Sequence, residues 1–174
     1  MCNCPDTLTF RSLTKDEIRI LGDADFGENP FQMEINNWIR DESDVFLKKG
    51  RGCIWGLYTS TNRLVGFMAF GPETWNIGVD RKIQVIHYFG IIKEFQGYPR
   101  DGDEKCRYSR QAMRRIMEEA KIKKEEMPFV GLLVHPENTG AQKLYKRFGF
   151  TRIDGDYIDE ETGQNYHRKL AVVI

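Results

Sequence analysis

Tyr145 lies in a segment near the C-terminal end of the chain whose residue types could support proton transfer. The segment runs from Asn138 to Phe150 and reads Asn-Thr-Gly-Ala-Gln-Lys-Leu-Tyr-Lys-Arg-Phe-Gly-Phe. A phenol with an ordinary pKa of about 10 can donate a hydrogen bond or a proton. The pattern predicts a short helix, because Asn138 or Thr139 can cap its first turn and Gly149 can end it in the left-handed conformation.

The same predicted helix has one apolar face, and Tyr145 lies on it. Ala141, Leu144, Tyr145 and Phe148 are spaced i, i+3, i+4 and i+7. Taken alone, a tyrosine on such a stripe is more often a core residue with a bonded hydroxyl than a catalytic group. The apolar stretch Pro128–His135 just before it predicts a buried strand. The unit is therefore a strand, an Asn-led turn, a helix, a glycine stop and a further strand.

This unit resembles the coenzyme-binding segment of the GNAT superfamily of N-acetyltransferases, which commonly reads Asn-x-x-Ala-x-x-Leu-Tyr-x-x-x-Gly-Phe. Six residues match at the same spacing: Asn138, Ala141, Leu144, Tyr145, Gly149 and Phe150. The resemblance implies an enzyme that transfers an acetyl group from acetyl-CoA to a primary amine by direct attack. It also implies that Tyr145 is the general acid at the coenzyme sulfur and that Asn138 bonds the pantetheine arm.

The segment Ile92–Tyr98 resembles a second part of the same family, its phosphate-binding loop. In GNAT proteins a Gln/Arg-x-x-Gly-x-Gly/Ala loop leads from the central strand into the next helix, and its backbone N–H groups hold the coenzyme pyrophosphate. Free N–H groups and the positive end of a helix dipole attract phosphate in general. Gln96, Gly97 and Tyr98 match the start of that loop.

The chain then departs from the family pattern, because the acidic insertion Tyr98–Arg107 comes before the next helix. One interpretation is that the insertion folds outward and leaves the helix start, at Ser109 and Arg110, to bind phosphate. Another is that the coenzyme site is altered or lost. The alternative function is therefore a catalytically inactive member of the fold that binds coenzyme or a protein partner.

Acetyl transfer to an amine also needs a base. A lysine-like amine is neutral only about once in 2,500 molecules at pH 7, which costs about 4.6 kcal/mol. His87 lies on the predicted central strand upstream of Gly90 and titrates near neutrality, although a core or edge histidine is the alternative. Glu34 is a second candidate base. The oxyanion would be held by a backbone N–H near Ile91 or Ile92.

Hydrophobic periodicity predicts the elements that must position these residues. Strands are predicted at Leu8–Leu13, 52–59, 63–71, Ile83–Glu94, Pro128–His135, Phe150–Ile158 and Asn165–Val173, and helices after the Thr14–Glu17 capping box, over Phe31–Lys49 with a possible interruption at Arg40–Asp44, over Tyr108–Lys124 and after Asn138. This order predicts an α/β fold with a central mixed, mostly antiparallel sheet and helices on both faces. GNAT domains have this order, so we expect one such domain over residues 1–174.

Composition limits the partners of the protein. The 174 residues include 26 basic and 26 acidic side chains, and this zero net charge disfavours a nucleic-acid partner. No apolar run is long enough to span a bilayer and no signal segment is evident, so a cytoplasmic location without membrane contact is the expectation. The expected acceptor is a small-molecule or peptide amine of unidentified structure, and a homodimer is a family-level expectation.

The four cysteines are expected to be free thiols: Cys2, Cys4, Cys53 and Cys106. Cys2 and Cys4 form a lone Cys-x-Cys without the second pair that a zinc site needs. His135 likewise has no His or carboxylate partner at ligand spacing. We therefore expect no metal, and acetyl-CoA as the only co-substrate.

Overall fold

A computed structural model describes residue 4 and residues 6–99, 103–153, 155–160 and 163–173. In chain order the helices and strands of these residues are β1 (Thr9–Ser12), α1 (Lys15–Gly22), α2 (Pro30–Asp41), α3 (Ser43–Lys48), β2 (Cys53–Tyr58), β3 (Leu64–Asn76), β4 (Asp80–Ile91), α4 (Tyr108–Ile122), β5 (Phe129–Val134), α5 (Thr139–Arg147), β6 (Thr151–Arg152), β7 (Tyr157–Ile158) and β8 (Asn165–Val172). Short 3-10 turns at Lys93–Phe95 and Glu104–Cys106 lie between β4 and α4.

The strands form an eight-stranded mixed sheet in the order β1-β2-β3-β4-β5-β8-β6, with β7 paired to β8. The pairs β1–β2, β2–β3, β5–β8, β6–β8 and β7–β8 are antiparallel, whereas β4 and β5 are parallel. This architecture confirms the predicted fold class, a mixed and mostly antiparallel sheet combined with helices. Among the described residues, no helix has the length and hydropathy needed to cross a bilayer.

The chain divides into two compact units. The first unit comprises the described residues of Met1–Phe70 and Tyr88–Arg115, and the second those of Gly71–His87 and Ile116–Ile174. The core of the first unit is built from buried residues of α1, α2, α3, β2, β3 and the α1–α2 connection: Ile18, Leu21, Phe26, Trp38, Ile39, Phe46, Ile54, Phe67 and Ala69. The core of the second unit includes Trp75, Ile83 and Val85, against which Phe129 and Leu170 pack.

Helix α1 begins at the capping box that the sequence predicts. The Thr14 backbone N–H donates to the Glu17 carboxylate at 3.0 Å, and the Glu17 N–H donates to the Thr14 hydroxyl at 3.3 Å. This reciprocal capping box satisfies two donors of the first turn of α1. The predicted interruption at Arg40–Asp44 is also confirmed, because α2 ends at Asp41 and α3 begins at Ser43.

Gly90 on β4 lies where two backbones and an aromatic ring approach closely. A Cβ at Gly90 would lie 2.8 Å from the Phe26 ring, and a Cβ at Gly66 would lie 2.3 Å from the Gly90 carbonyl oxygen. Glycine at position 90 therefore makes this close approach sterically possible. The strand ends at Ile91 rather than at Glu94, because the chain turns directly into the 3-10 turn.

Two predictions about elements need correction. The single strand predicted at Phe150–Ile158 is divided into the short strands β6 and β7. The strand predicted to end at Gly71 continues through Pro72 to Asn76. Gly and Pro usually interrupt a strand, and for this reason the sequence pattern placed the end too early.

The prediction of free cysteines is wrong for two of them. Cys4 and Cys106 form a disulfide across a sequence separation of 102 residues, whereas Cys53 keeps its thiol. The pairing depends on tertiary contacts that bring the N-terminal segment to the start of α4, and spacing along the chain does not reveal such contacts. Cys2 lies outside the described residues.

Candidate active site

The helix α5 has the start and end that its sequence predicts. The Asn138 side-chain oxygen accepts a hydrogen bond from the Ala141 N–H at 3.0 Å, so this asparagine is the N-cap. Gly149 has φ +82°, the left-handed conformation that ends many helices. The next N–H, of Phe150, donates to the Tyr145 carbonyl at 3.1 Å. The motif at Asn138–Phe150 is therefore realised as a capped helix in the second unit.

Tyr145 is buried on this helix. Its side chain is 8% exposed, and its ring lies 5.8 Å from the ring of Phe150. Burial raises the pKa of Tyr145 from 10.0 to about 12. Burial is the only cause of this shift, so no charge or hydrogen bond of the described residues contributes to it. Tyr145 therefore stays protonated at neutral pH and can donate to a ligand.

The raised pKa limits what Tyr145 can do as an acid. A thiol has an ordinary pKa of about 8.5, so complete proton transfer from a phenol of pKa about 12 to the thiolate costs about 5 kcal/mol. Donation of a hydrogen bond to a leaving sulfur requires no such complete transfer. The burial of Tyr145 thus favours a hydrogen-bonding role over that of a full proton donor.

His87 lies at the point where β4 leaves its ladder with β5. The parallel register pairs Gln84 with Val130 and ends with Ile86 opposite Leu132, so His87 is the next residue along β4. Its side chain is only 13% exposed. The structure therefore places this candidate base on the strand that the sequence predicts, next to the end of the paired region.

Glu73 of β3, for which no role is predicted from the sequence, contacts this histidine. The His87 Nδ1 lies 3.5 Å from the Glu73 Oε1, a contact that is ionic when the imidazole is protonated. The other carboxylate oxygen of Glu73 accepts a hydrogen bond from the Trp75 Nε1 at 2.9 Å. The signal for Glu73 was weak, because the predicted strand ended at Gly71 and left this residue in a loop.

The predicted phosphate loop lies in the first unit, and hydrogen bonds from one of its own side chains hold it in place. The Gln96 side-chain nitrogen donates to the backbone carbonyls of Phe26 at 2.9 Å and Ile91 at 3.0 Å. Gly97 has φ +81° and open space around its Cα, so its conformation, rather than crowding, requires glycine. The Tyr98 N–H donates into the preceding turn at 3.1 Å. Gln96 thus anchors the loop, which leaves Gly97 exposed.

Ser109 and Arg110 lie in the first turn of α4, as predicted. The Arg110 guanidinium pairs with Glu104, which also lies 3.6 Å from the Arg107 guanidinium. The negative charge of Glu104, one carboxylate of the insertion, is therefore offset by the positive charges of two nearby arginines. The Arg110 backbone N–H donates to the Arg107 carbonyl at 2.9 Å. Residues 100–102 of the insertion lie outside the described residues.

The start of α4 is tied to the N-terminal segment. The Tyr108 hydroxyl donates to Asp6 at 2.6 Å. Gln111, which is 7% exposed, donates to the carbonyls of Asp6 at 2.8 Å and Cys106 at 2.7 Å, and accepts from the Leu8 N–H at 2.9 Å. Sequence reasoning missed all of these contacts, because each joins residues about a hundred positions apart or depends on one that does.

The predicted oxyanion donors occupy the end of β4. The Ile92 N–H already donates to the Val65 carbonyl at 2.9 Å. The Ile91 carbonyl accepts from Gln96, and the Ile91 side chain is 9% exposed. The bond at Ile92 makes Ile91 the better candidate of the two for an oxyanion contact.

Glu34 of α2 lies beside a pair of stacked aromatic rings in the first unit. The Tyr88 ring stacks on Trp38 with centroids 4.4 Å apart and planes 19° apart. The Tyr88 hydroxyl lies 3.5 Å from the Glu34 carboxylate. A carboxylate beside an aromatic face is a combination that attracts an organic cation. This group is therefore a candidate contact for a protonated amine.

The other two tryptophans already face cations of the protein. The Arg115 guanidinium lies 6.0 Å from the centre of the Trp55 ring, and the Arg168 guanidinium lies 4.8 Å from that of Trp75. Trp38 is no more open to an external cation, because it is 5% exposed and its ring lies between those of Tyr88 and Phe67. Among the described residues, no three His, Cys, Asp or Glu side chains are grouped as a metal site would require.

The strand order, the parallel β4–β5 pair and the Asn-capped, glycine-ended α5 define an α/β protein of the acyltransferase class. The sequence model of the Acetyltransferase (GNAT) family matches residues 17–150. This match covers more than half of the chain, so the protein belongs to the GNAT acetyltransferase family. No curated relative matches the chain significantly.

Several solved structures are similar to the fold. A structure described as a bacterial toxin has 14% identity and a TM-score of 0.67, covering 95% of this chain and 90% of that one. The spermidine/spermine N-acetyltransferase SpeG from Vibrio cholerae has 16% identity and a TM-score of 0.62, covering 95% and 92%. AtaT complexed with acetyl-methionyl-tRNAfMet has 15% identity and a TM-score of 0.62, covering 92% and 93%. At these identities the similarity shows the fold alone.

Proposed function

We propose that residues 1–174 act as one N-acetyltransferase domain that transfers the acetyl group of acetyl-CoA to a primary amine. The amine nitrogen attacks the thioester carbonyl directly, the carbon–nitrogen bond forms, and the carbon–sulfur bond breaks. Coenzyme A leaves as the thiol, and the amine proton passes to a base. The observation that carries this proposal is Tyr145, a protonated, buried phenol on the helix whose motif resembles the coenzyme-binding segment of the family.

In this proposal the coenzyme contacts follow the family motif. Asn138 bonds the pantetheine arm, and Tyr145 donates a hydrogen bond to the departing sulfur. The pyrophosphate is bound by backbone groups at Gln96, Gly97 and Tyr98 and at the start of α4, where Ser109 and Arg110 lie. Ile91, or Ile92 if its bond to Val65 opens, binds the oxyanion of the tetrahedral intermediate.

The proposed acceptor is a small-molecule or peptide amine that approaches as a cation. Glu34 and the half-buried Tyr88, whose hydroxyl lies 3.5 Å from the Glu34 carboxylate, supply a negative charge and an aromatic ring, which support this class of ligand. The zero net charge supports a small amine over a nucleic acid. A cytoplasmic location and a homodimer remain expectations that accompany the proposal.

The first test is calorimetric titration with acetyl-CoA. Wild type is expected to bind, and Gly97→Pro is expected not to bind, because proline cannot adopt φ +81° and has no N–H. Gly78→Pro is the matched control, since Gly78 has φ +96° in the turn between β3 and β4. A wild-type protein that binds no acyl-CoA would reject the proposal.

Turnover on a panel of primary amines is the second test. Glu34→Gln is expected to raise the KM for the amine about tenfold, without a change in acetyl-CoA affinity, because it removes only the charge that attracts the cation. Glu125→Gln, at an exposed position after α4, is the matched control. An equal rise in KM in both variants would remove Glu34 from the acceptor site.

One observation favours the catalytically inactive alternative. The Tyr98 and Arg110 N–H groups already donate within the protein, so the predicted phosphate site presents fewer donors than the family pattern implies. Tight acetyl-CoA binding without turnover on any amine would support this alternative. Turnover on any amine of the panel would exclude it.

A further inference from the structure

The contact between His87 and Glu73 joins a side chain of β4 to one of β3 within the second unit. The His87 Nδ1 lies 3.5 Å from the Glu73 Oε1. The carboxylate is itself fixed, because its second oxygen accepts from the Trp75 indole N–H at 2.9 Å. The indole, carboxylate and imidazole therefore form a chain of three polar groups that ends at the candidate base.

Of the residues that form β3 and β5, the two strands next to β4, Glu73 is the one that carries a charge. The strand β5 carries only apolar residues and glycine over Phe129–Val134, and Glu73 is the sole charged residue of β3. His87 follows directly after Ile86, the last residue of β4 that is paired with β5. A carboxylate at this place acts on one imidazole nitrogen and leaves the other for a different contact.

We infer that Glu73 is a positioning residue for His87 in the acetyl transfer, an inference that rests on the proposed function. The carboxylate accepts the Nδ1–H and so holds the tautomer in which Nε2 is the basic nitrogen. When Nε2 takes the proton of the attacking amine, the imidazole becomes positively charged, and Glu73 stabilises that charge. The separation of 3.5 Å is long for a neutral hydrogen bond and suits a contact that tightens when the charge forms.

The atoms of the step balance without any further reactant. The amine nitrogen forms its bond to the acetyl carbon and gives a proton to His87 Nε2. The carbon–sulfur bond breaks, and the thiolate sulfur takes up, by way of solvent, the proton that His87 Nε2 accepted, so coenzyme A leaves as the thiol and the imidazole is neutral again. Glu73 accepts no proton in this sequence, since its part is to orient the ring and to oppose its positive charge.

The first measurement is the tautomer of His87, read from the ring nitrogen shifts by NMR at a pH where the ring is neutral. Wild type is expected to show the Nδ1–H form. Glu73→Met removes the acceptor and is expected to give a mixture of the two forms, whereas Glu73→Gln keeps an acceptor and retains the Nδ1–H form. Glu125→Gln is the control. An unchanged tautomer in Glu73→Met overturns the inference.

The second measurement is a double-mutant comparison of turnover. His87→Asn is expected to lower kcat about a hundredfold and Glu73→Met about tenfold, with the KM for acetyl-CoA within about twofold of wild type. Adding Glu73→Met to His87→Asn is expected to have no further effect, because Glu73 acts through the imidazole. An additional tenfold loss in the double variant contradicts the inference.

A third measurement covers the case in which Glu73→Met does not fold. Glu73→Gln removes the charge alone, so the acidic limb of the pH profile of kcat/KM is expected to move to lower pH. An unmoved limb overturns the inference. Failure of the proposed function is a separate result, because a wild-type protein without acetyl-CoA binding or turnover rejects that proposal while the NMR measurement still decides the contact.

Discussion

The start of α4 and the middle of α5 each carry a buried tyrosine, and the two tyrosines differ in what their hydroxyl groups contact. Tyr108 is 5% exposed and donates to Asp6 at 2.6 Å. Tyr145 is 8% exposed, and burial alone raises its pKa. For Tyr108, burial and then the bond to Asp6 raise the pKa. The two residues have similar burial but different electrostatic surroundings.

The comparison separates a structural phenol from one that is suited to chemistry. A buried hydroxyl normally has a partner, because an unpaired one costs free energy. Tyr108 meets this requirement with Asp6 and thereby fixes the N-terminal segment. The raised pKa of Tyr145 has burial as its only cause, and under the proposed function its protonated hydroxyl donates to the coenzyme sulfur. Five experiments test this distinction.

The disulfide near Tyr108 should have the largest effect on stability. Cys106→Ser removes the bond to Cys4 and is expected to lower the free energy of unfolding by about 3–4 kcal/mol, because the bond closes a long loop. Chemical denaturation measures this change, and Cys53→Ser, at the cysteine that keeps its thiol, is the control. Equal stabilities for the two variants would mean that the bond does not form in solution.

Tyr145→Phe should have the largest effect on catalysis. The variant is expected to lower kcat about a hundredfold and to leave acetyl-CoA affinity nearly unchanged, because it removes only the hydroxyl that acts on the leaving sulfur. Steady-state kinetics and calorimetry measure the two quantities. Tyr157→Phe, at an exposed tyrosine of β7, is the control. If Tyr145→Phe retains full activity, Tyr145 is a core residue like Tyr108.

Alkaline pH should destabilise the fold through Tyr145. Its pKa is 10.0 in the unfolded chain and about 12 in the folded protein, so the unfolded chain loses its proton first as pH rises. Stability from this residue is complete below pH 10 and falls by about 2 kcal/mol by pH 11.5. Denaturation at pH 9.5 and 11.5 should therefore show a smaller loss in Tyr145→Phe than in wild type. An identical loss would contradict the assigned burial.

Tyr108→Phe should affect stability rather than catalysis. It removes the hydrogen bond to Asp6 and is expected to cost about 1–2 kcal/mol, with kcat within about twofold of wild type. Denaturation and turnover of the same preparation measure both. A loss of activity as large as that of Tyr145→Phe would end the distinction between the two tyrosines.

The glycine at the end of α5 should have the smallest effect. Gly149→Ala is expected to cost about 1 kcal/mol, because φ +82° is unfavourable for alanine although no atom crowds the position. Gly140→Ala in the first turn of the same helix is the control and is expected to stabilise the protein slightly. If Gly149→Ala proves as stable as Gly140→Ala, helix α5 ends differently in solution.

The sequence predicted α5 and its surroundings because all the information for them is local. The cap, the apolar stripe and the glycine stop lie within Asn138–Phe150; the structure confirms the cap and the stop, and of the stripe it buries Tyr145 and half-buries the other three residues. The mixed sheet was predicted for the same reason, since each strand has its own pattern. The length of β3 was not predicted, because a Gly-Pro pair such as the one at 71–72 usually ends a strand, and here it lies within one.

The contacts that were missed depend on which distant residues become neighbours. Glu73 meets His87 only because the chain turns between β3 and β4 and brings the two strands together. Cys4 meets Cys106 only because Asp6 and its neighbours bond to the start of α4. Residue type shows what such a group can do, but its partner is set by tertiary structure.

The disulfide also makes a covalent ring of the chain from Cys4 to Cys106. The segment Gly71–His87, which belongs to the second unit, lies within this ring in sequence. A protease that cuts once between the two cysteines therefore opens the ring without releasing a fragment. The two pieces migrate together on a denaturing gel until a thiol reductant separates them, so a nicked sample passes for intact protein unless it is reduced.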